Sequence, residues 1–212
     1  RFKDIFGREA RRALQAGAVA RGGRGRGRGG GPPPPPAPIL SFMVQNSPVP
    51  IVMVGSQRSS DRPSSDAALN LMNSVKTAAE SDIAEVMVCM FGPTSDEYGL
   101  LHRGTRVRKM HSSYRSTFRT IGDIPLAKVS NDGFEYLRDD YARRRTDRDV
   151  VITPVFDDRV GIVYYYPNMK PDMIDSMIEA GYKGIVIAGT GLGHVNKPLY
   201  PALKRAQDAG VC

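Results

Sequence analysis

"VPIVMVGSQRSSDRPSSDAALNLMNSVKTAA", residues 49–79, reads as a strand, a polar loop and a helix. The run Ile51–Val54 is apolar without alternation, the pattern of a strand covered on both faces of a parallel sheet. The next dozen residues, 55–66, hold five serines, two arginines and two aspartates, more than a connection needs. Three readings are open for this loop: the lip of a pocket, a nucleic-acid contact, or a well-solvated link. Beyond it, Ala68, Leu71, Met72, Val75 and Ala79 recur at the spacing of one helical face. That face is expected to lie on the core of a helix over 66–80, with Ser65 or Asp66 as its N-cap.

The same alternation continues outward. "ILSFM" (39–43) has the texture of the end of an apolar helix, and "AEVMVCMFG" (84–92) is a second buried strand. Residues 99–129 read as loops and short strands, and 138–149 as a charged segment. "VVITPVFDDRVGIVYYYP" (150–167) supplies two short β segments around Asp157 and Asp158. "PDMIDSMIEAGYKGIVIAGTGLGHV" (171–195) is a helix, a glycine turn and a strand ending in a glycine-rich loop. A further helix is expected at about 197–209. Strands alternating with helices predict an α/β protein with a parallel sheet. Ligands gather at the C-terminal ends of such strands, where the loops 55–66 and 189–195 both fall.

The chain has 212 residues, 41% of them hydrophobic, enough to build a core. No run approaches the roughly 18 apolar residues of a membrane-spanning helix. It starts with Arg1 and shows no signal-peptide pattern, so the expectation is a fragment of a soluble, cytoplasmic protein. The net charge of +8 is unevenly placed: residues 1–38 hold nine Lys/Arg against two Asp/Glu, and the rest hold 21 against 20. The basicity belongs to the N-terminal segment and does not mark the folded part as a nucleic-acid binder.

Within that segment, residues 1–20 are expected to form a short helix. "RGGRGRGRGGGPPPPPAP" (21–38) is too rich in glycine to order and too rich in proline to leave an extended form, so a disordered tail is predicted. Its open readings are an inert linker, an RNA-binding Arg-Gly repeat, and the out-of-frame text of GC-rich DNA.

Chemistry-bearing residues are sparse. Cys89 and Cys212 read as a buried thiol and a terminal residue, and the histidines 102, 111 and 194 stand singly, which gives no metal spacing. "AGTGLGHV" (188–195) lacks the full G-x-G-x-x-G spacing, leaving a tight turn or a phosphate cradle. "RVRKMHSSYRSTF" (106–118) sets Lys109 beside hydroxyl residues, either as a base lowered in pKa by burial or as a solvated or phosphate-binding surface.

Three blocks go further. "VPIVMVGSQRSSDRPSSDAALNL" (49–71), "RKMHSSYRSTFRTIGDIPLAKV" (108–129) and "GYKGIVIAGTGLGHVNKPL" (181–199) resemble the asparaginase/glutaminase-type amidohydrolases. Plain asparaginases favour Ala-Met-Arg-Pro where this chain has Ser56, Gln57, Arg58 and Ser59. They favour Gly-Asn-Gly-Asn where it has Gly191, Leu192, Gly193 and His194. Both departures resemble the archaeal, tRNA-linked branch.

The resemblance implies a partial asparaginase-like parallel-sheet domain over 39–150, then the start of a smaller α/β domain over 151–212, behind the basic tail 1–38. It implies amide hydrolysis of glutamine or asparagine by a threonine nucleophile, assisted by a second threonine, an aspartate and a lysine. Lys109 stands at the catalytic lysine. Ser56 and Gln57 stand where the substrate pocket is lined, and His194 where an asparagine reaches a neighbouring subunit's site. The implied partners are a second copy within a heterotetramer, the E-type subunit of the amidotransferase, which takes the ammonia, and tRNA through that complex. No cofactor is implied here; ATP and Mg belong to the partner. The nucleophile's Thr-Gly-Gly-Thr motif and the Thr-Asp pair are missing, and "GGGPPPPPAP" (29–38) occupies the place of the pair. The chain by itself is therefore expected to be inactive. The alternatives are part of a plain L-asparaginase, or a non-catalytic protein that binds RNA through its Arg-Gly tail.

Overall fold

The computed structural model describes residues 19–21, 37–145, 147 and 149–212. The chain divides into two compact units, 1–155 and 156–212. The boundary expected after residue 150 moves because β10 (Val151–Ile152) pairs antiparallel with β2 (Val44–Gln45) of the first unit.

The first unit is built on a six-stranded sheet in the order β1-β3-β4-β5-β8-β9. These strands are Val19–Arg21, Ile51–Val54, Val86–Phe91, Gly99–Arg103, Ala127–Ser130 and Gly133–Tyr136. The α/β class holds, but the sheet is mixed. β1, β3 and β4 run parallel, whereas β5, β8 and β9 are antiparallel. Helix α2 (Ala67–Glu80) bridges the parallel pair β3 and β4, as a crossover must. From β4 onward the connection to β5 is only residues 92–98, too short for a parallel return.

Part of the expected disorder is corrected. Val19–Arg21 form the edge strand β1, in register with Val52–Val54, and α1 (Ala37–Met43) starts inside the stretch assigned to the tail. Val19 and Ala20 are therefore strand where the helix expected over 1–20 would end, and residues 1–18 of that helix, with 22–36 of the tail, lie outside the described residues.

All six residues of β4 are buried, which explains its unbroken apolar run. Alternate residues serve two cores. Ile51, Met53, Val86, Val88 and Met90 pack with Ala37 and Leu40 of α1. Val52, Met87 and Cys89 pack with Ala78 of α2, Leu101 and Val129.

Helix α2 contradicts the expected face. Asn70, Asn73, Ser74, Thr77 and Ala78 are buried, and Leu71, Met72 and Val75 are exposed. The two buried hydroxyls bond within the helix, while Asn70 Oδ1 and Asn73 Nδ2 have no hydrogen-bond partner. Ser74 Oγ donates to Asn70 O at 2.6 Å and Thr77 Oγ1 to Asn73 O at 2.7 Å. Back-bonding of this kind removes most of the cost of burying a hydroxyl. Small polar side chains then let the helix settle closely on an already apolar sheet.

The second unit pairs β11 (Val160–Tyr164) and β12 (Gly184–Ala188) in parallel. Helices α3 (Asp172–Glu179) and α4 (Tyr200–Asp208) accompany them, the latter entered through a 3-10 turn at Lys197–Leu199. Its core is Val163, Met169, Ile174, Leu199, Ala202 and Ala206. No helix among the described residues is long and apolar enough to cross a membrane.

Candidate functional site

In the first unit, three loops meet at the C-terminal ends of β3 and β4: residues 55–66, 92–98 and the tip of the hairpin formed by β6 (Val107–Lys109) and β7 (Phe118–Thr120). Each is tied to a neighbour by named bonds.

The polar loop is organised around a buried carboxylate. Asp66 stands at the N-cap of α2, yet its side chain caps nothing in the helix backbone. It turns back instead. Oδ2 accepts from the Gln57 N–H at 2.9 Å and from Asn70 Nδ2 at 2.7 Å, and Oδ1 accepts from the Arg58 N–H at 2.9 Å. Asn70 Nδ2 also reaches Gly55 O at 3.0 Å. Ser65 Oγ donates to Arg58 O at 2.9 Å, and Arg58 Nη1 to Pro63 O at 2.8 Å. Charged acceptors for backbone N–H groups make the stronger kind of hydrogen bond. The loop is therefore a fixed wall carrying Ser56 and Gln57 rather than a solvated link. Ser56 is exposed on it and Gln57 half-buried.

Gln57 bridges the wall to the hairpin. Its amide nitrogen donates to Ser112 O, and its Oε1 is buried with no hydrogen-bond partner. An orphaned buried acceptor is uncommon in a native fold, and here it sits on the loop expected to face substrate.

Lys109 ends β6 opposite Phe118, with Nζ 5.9 Å from the centre of that ring. It makes no salt bridge among the described residues. The turn beyond it is tightly held. Thr117 Oγ1 receives the His111 N–H and donates to His111 O, both at 2.6 Å, and Met110 N–H reaches Thr117 O at 2.9 Å. Ser113 N–H donates to His111 Nδ1 at 3.0 Å. The hairpin is fastened to the sheet at two places. Arg115 lies 4.5 Å over the Phe91 ring and pairs with Asp96 at 3.2 Å, and His102 Nδ1 meets Thr120 Oγ1 at 2.9 Å. His102 is buried, and burial, then the positive charge of Arg119, lower its pKa to about 4. It is the neutral ring that carries this link.

Arg21 pairs with Val54, so the chain leaves β1 at the same end of the sheet where Gly55 leaves β3. The residues that follow β1 are the Arg-Gly and proline stretch, outside the described residues.

His194 belongs to the second unit. It closes a turn after β12 in which Thr190 and His194 exchange backbone hydrogen bonds at 3.0 and 2.8 Å. Gly191 and Gly193 take φ of 55° and 92°, and a Cβ on Gly189 would come within 2.6 Å of the Gly193 carbonyl carbon. Of the two readings of this loop, the close turn is the one seen: its N–H groups at 190, 193 and 194 bond within the loop.

A cleft of about 230 Å³ lies at the opposite end of β4, lined by Gln45, Asn46, Glu85, Arg103 and Thr105 among others. Its charged pair is closed on itself, with Arg103 Nε 2.7 Å from Glu85. The three-loop wall has the richer chemistry. No cluster of three metal-ligating side chains occurs among the described residues.

Residues 36–142 match the family model "Asparaginase, N-terminal", and 159–212 match "Glutaminase/Asparaginase C-terminal domain". The chain belongs to the asparaginase/glutaminase family. Among curated relatives in it, the D-type subunit of the glutamyl-tRNA(Gln) amidotransferase of Pyrococcus furiosus is 56% identical over 173 residues, 81% of this chain. Its counterpart from Methanobrevibacter smithii is 48% identical over 172 residues. The chain spans 39% of the length of both relatives. The thermostable L-asparaginase from Thermococcus kodakarensis has the same fold, with a TM-score of 0.79 at 23% identity, covering 97% of this chain and 59% of that one. L-asparaginase I from Vibrio cholerae gives a TM-score of 0.69 at 26% identity, covering 82% and 51%.

Sequence reading singles out Ser56, Gln57 and Lys109, and the Gln57–Ser112 bond brings their two loops together. It misses Asp66 and Asn70 as the fastening of the wall, although their i, i+4 spacing on the polar side of the helix is visible.

Proposed function

We propose that this chain is the part of an amide-hydrolysing subunit that carries one wall of the pocket and its lysine, within a tRNA-dependent amidotransferase. The whole subunit would release ammonia from glutamine or asparagine. Its partner, the E-type subunit of the amidotransferase, would use that ammonia to convert Glu-tRNA(Gln) to Gln-tRNA(Gln). One observation carries the reading: a wall fixed by Asp66 is bonded through Gln57 to the hairpin of Lys109, at the strand ends where ligands bind.

In this reading Lys109 moves a proton for a threonine nucleophile, whose hydroxyl is too weak to attack an amide unaided. The main chain at Ser56, with Gln57, holds the amino-acid end of the substrate. His194 serves the site of a neighbouring copy. The nucleophile and the Thr-Asp pair come from sequence that this chain does not contain, so it is expected to release no ammonia by itself. The whole protein works as a homodimer within a heterotetramer in the cytoplasm, meets tRNA through the complex, and has no cofactor of its own. ATP and Mg act at the partner.

The test is a chimera. Residues 36–212 are placed within the Pyrococcus furiosus relative in exchange for the matching segment, and ammonia release is measured with glutamine and with asparagine. Activity in the chimera, none in the 212-residue chain, and loss on Lys109→Met support the proposal. Chimera activity that survives Lys109→Met overturns the role of the lysine. A preference for asparagine without any dependence on a tRNA partner would favour a plain L-asparaginase. RNA binding by the 212-residue chain that weakens with salt and vanishes without residues 1–36 would favour the third reading.

A further inference from the structure

The charged end of Lys109 is gripped by nothing. Among the described residues its ammonium makes neither an ion pair nor a hydrogen bond, and Nζ lies 5.9 Å from the centre of the Phe118 ring. A lysine stem carries about 2 kcal/mol of rotamer entropy. An ammonium without a partner is therefore aimed from its backbone end.

One residue holds that end. Lys109 and Phe118 form the last pair of the β6–β7 ladder, and beyond it the strands part around the tip 110–117. Thr117 stands at the parting. Its carbonyl accepts the Met110 N–H at 2.9 Å, and its Oγ1 accepts the His111 N–H and donates to His111 O, both at 2.6 Å. Both residues that follow Lys109 are thus tied to Thr117. A buried hydroxyl is satisfied by one hydrogen bond; this one, 1% exposed, spends two on the place where the chain turns after the lysine. The neighbouring Ser116 Oγ donates to Gly92 O at the end of β4 and receives Arg119 Nη1 at 3.1 Å, so the tie is anchored to the sheet. Phe118 packs on the core of Val88 and Val107, which gives the lysine stem a fixed surface. All these contacts are internal to the hairpin and the sheet beneath it, and none depends on what the rest of the subunit covers.

We propose that Thr117 is a positioning residue for Lys109: its hydroxyl fixes the backbone at His111 and so the direction in which the lysine points from β6. The inference rests on the proton-transfer role of Lys109 given above and adds a residue that acts only through the lysine. A catalytic group misplaced by about 1 Å loses on the order of 100-fold in rate, and that is the effect assigned to the hydroxyl.

The test compares Thr117→Val and Thr117→Ala, which remove the hydroxyl, with Thr117→Ser, which keeps it. In the full chain, NMR of isotope-labelled lysine follows the ε-methylene resonance of Lys109, assigned by its loss in Lys109→Met. The Phe118 ring is expected to displace that resonance in wild type and Thr117→Ser. In the other two variants it should move to the position of an exposed lysine, with circular dichroism unchanged. In the chimera described above, Thr117→Val and Thr117→Ala are expected to lower kcat for glutamine roughly 10- to 100-fold. KM should stay within about two-fold, and Thr117→Ser should retain most of the rate. A resonance that stays in place without the hydroxyl overturns the inference, whatever the rates. Unchanged kcat in Thr117→Val, or a loss confined to KM, overturns it as well, and with Lys109→Met inactive the role of the lysine still stands. Activity that survives Lys109→Met overturns the reading beneath both.

Discussion

The side-chain amide of Gln57 donates to the backbone carbonyl of Ser112, across 55 residues of sequence. That bond joins the polar wall after β3 to the hairpin of Lys109. Removing it in Gln57→Ala should loosen the hairpin without unfolding the sheet, since one neutral hydrogen bond contributes about 0.5–1.5 kcal/mol. Amide hydrogen exchange is expected to quicken at residues 110–114 and stay unchanged in β4. Equal exchange in both proteins would show that the bond does not hold the hairpin.

Asp66 has a larger role. Its carboxylate takes three donors, from Gln57, Arg58 and Asn70, in a buried position. Asp66→Ala leaves those donors unpaired and should destabilise the first unit by roughly 2–4 kcal/mol, read from urea unfolding. Asp66→Asn keeps one acceptor oxygen and is expected to cost less. Two variants of equal stability would contradict the assigned hydrogen bonds.

Acid should act through His102. Its folded pKa of about 4 lies below the ordinary 6.5, because burial and then Arg119 disfavour the charged ring. The unfolded chain therefore binds the proton more readily. Stability is fully present above pH 6.5 and falls as the pH drops towards 4, at up to about 1.4 kcal/mol per pH unit. Unfolding midpoints at about pH 7.5 and 5 are expected to differ in wild type, and much less in His102→Gln. The same drop in both would place the acid sensitivity elsewhere.

The turn that carries His194 depends on Gly189. A Cβ there meets backbone, not a flexible side chain, at 2.6 Å, so Gly189→Ala must open the Thr190–His194 pair. A loss of about 1–3 kcal/mol in the second unit is expected. Gly55→Ala, where a Cβ has nothing within 4 Å, should be nearly neutral. A shift of the His194 ring resonances in Gly189→Ala but not in Gly55→Ala would be the matching signal.

The order of strands and helices was legible in the residues. Ile51–Val54 and Val86–Phe91 are strands because their unbroken apolar runs can be buried only between two layers. The blocks around Ser56, Lys109 and His194 were sufficient to point to the family. Other features needed contacts between distant parts of the chain. The turn from parallel to antiparallel at β5 follows from which strand edge was open, and periodicity does not record that.

Helix α2 marks the division most clearly. Its sequence alone determines that the stretch after Asp66 is a helix with one apolar and one polar side. Only the tertiary structure decides that the polar side faces inward. The sheet beneath already buries Met87, Cys89 and Leu101, and what it lacks is a partner for the Gly55 carbonyl and for the backbone of Gln57 and Arg58. Asp66 and Asn70 supply it, and the need to satisfy these loop backbone groups orients the helix more strongly than the exposure of three apolar side chains opposes it.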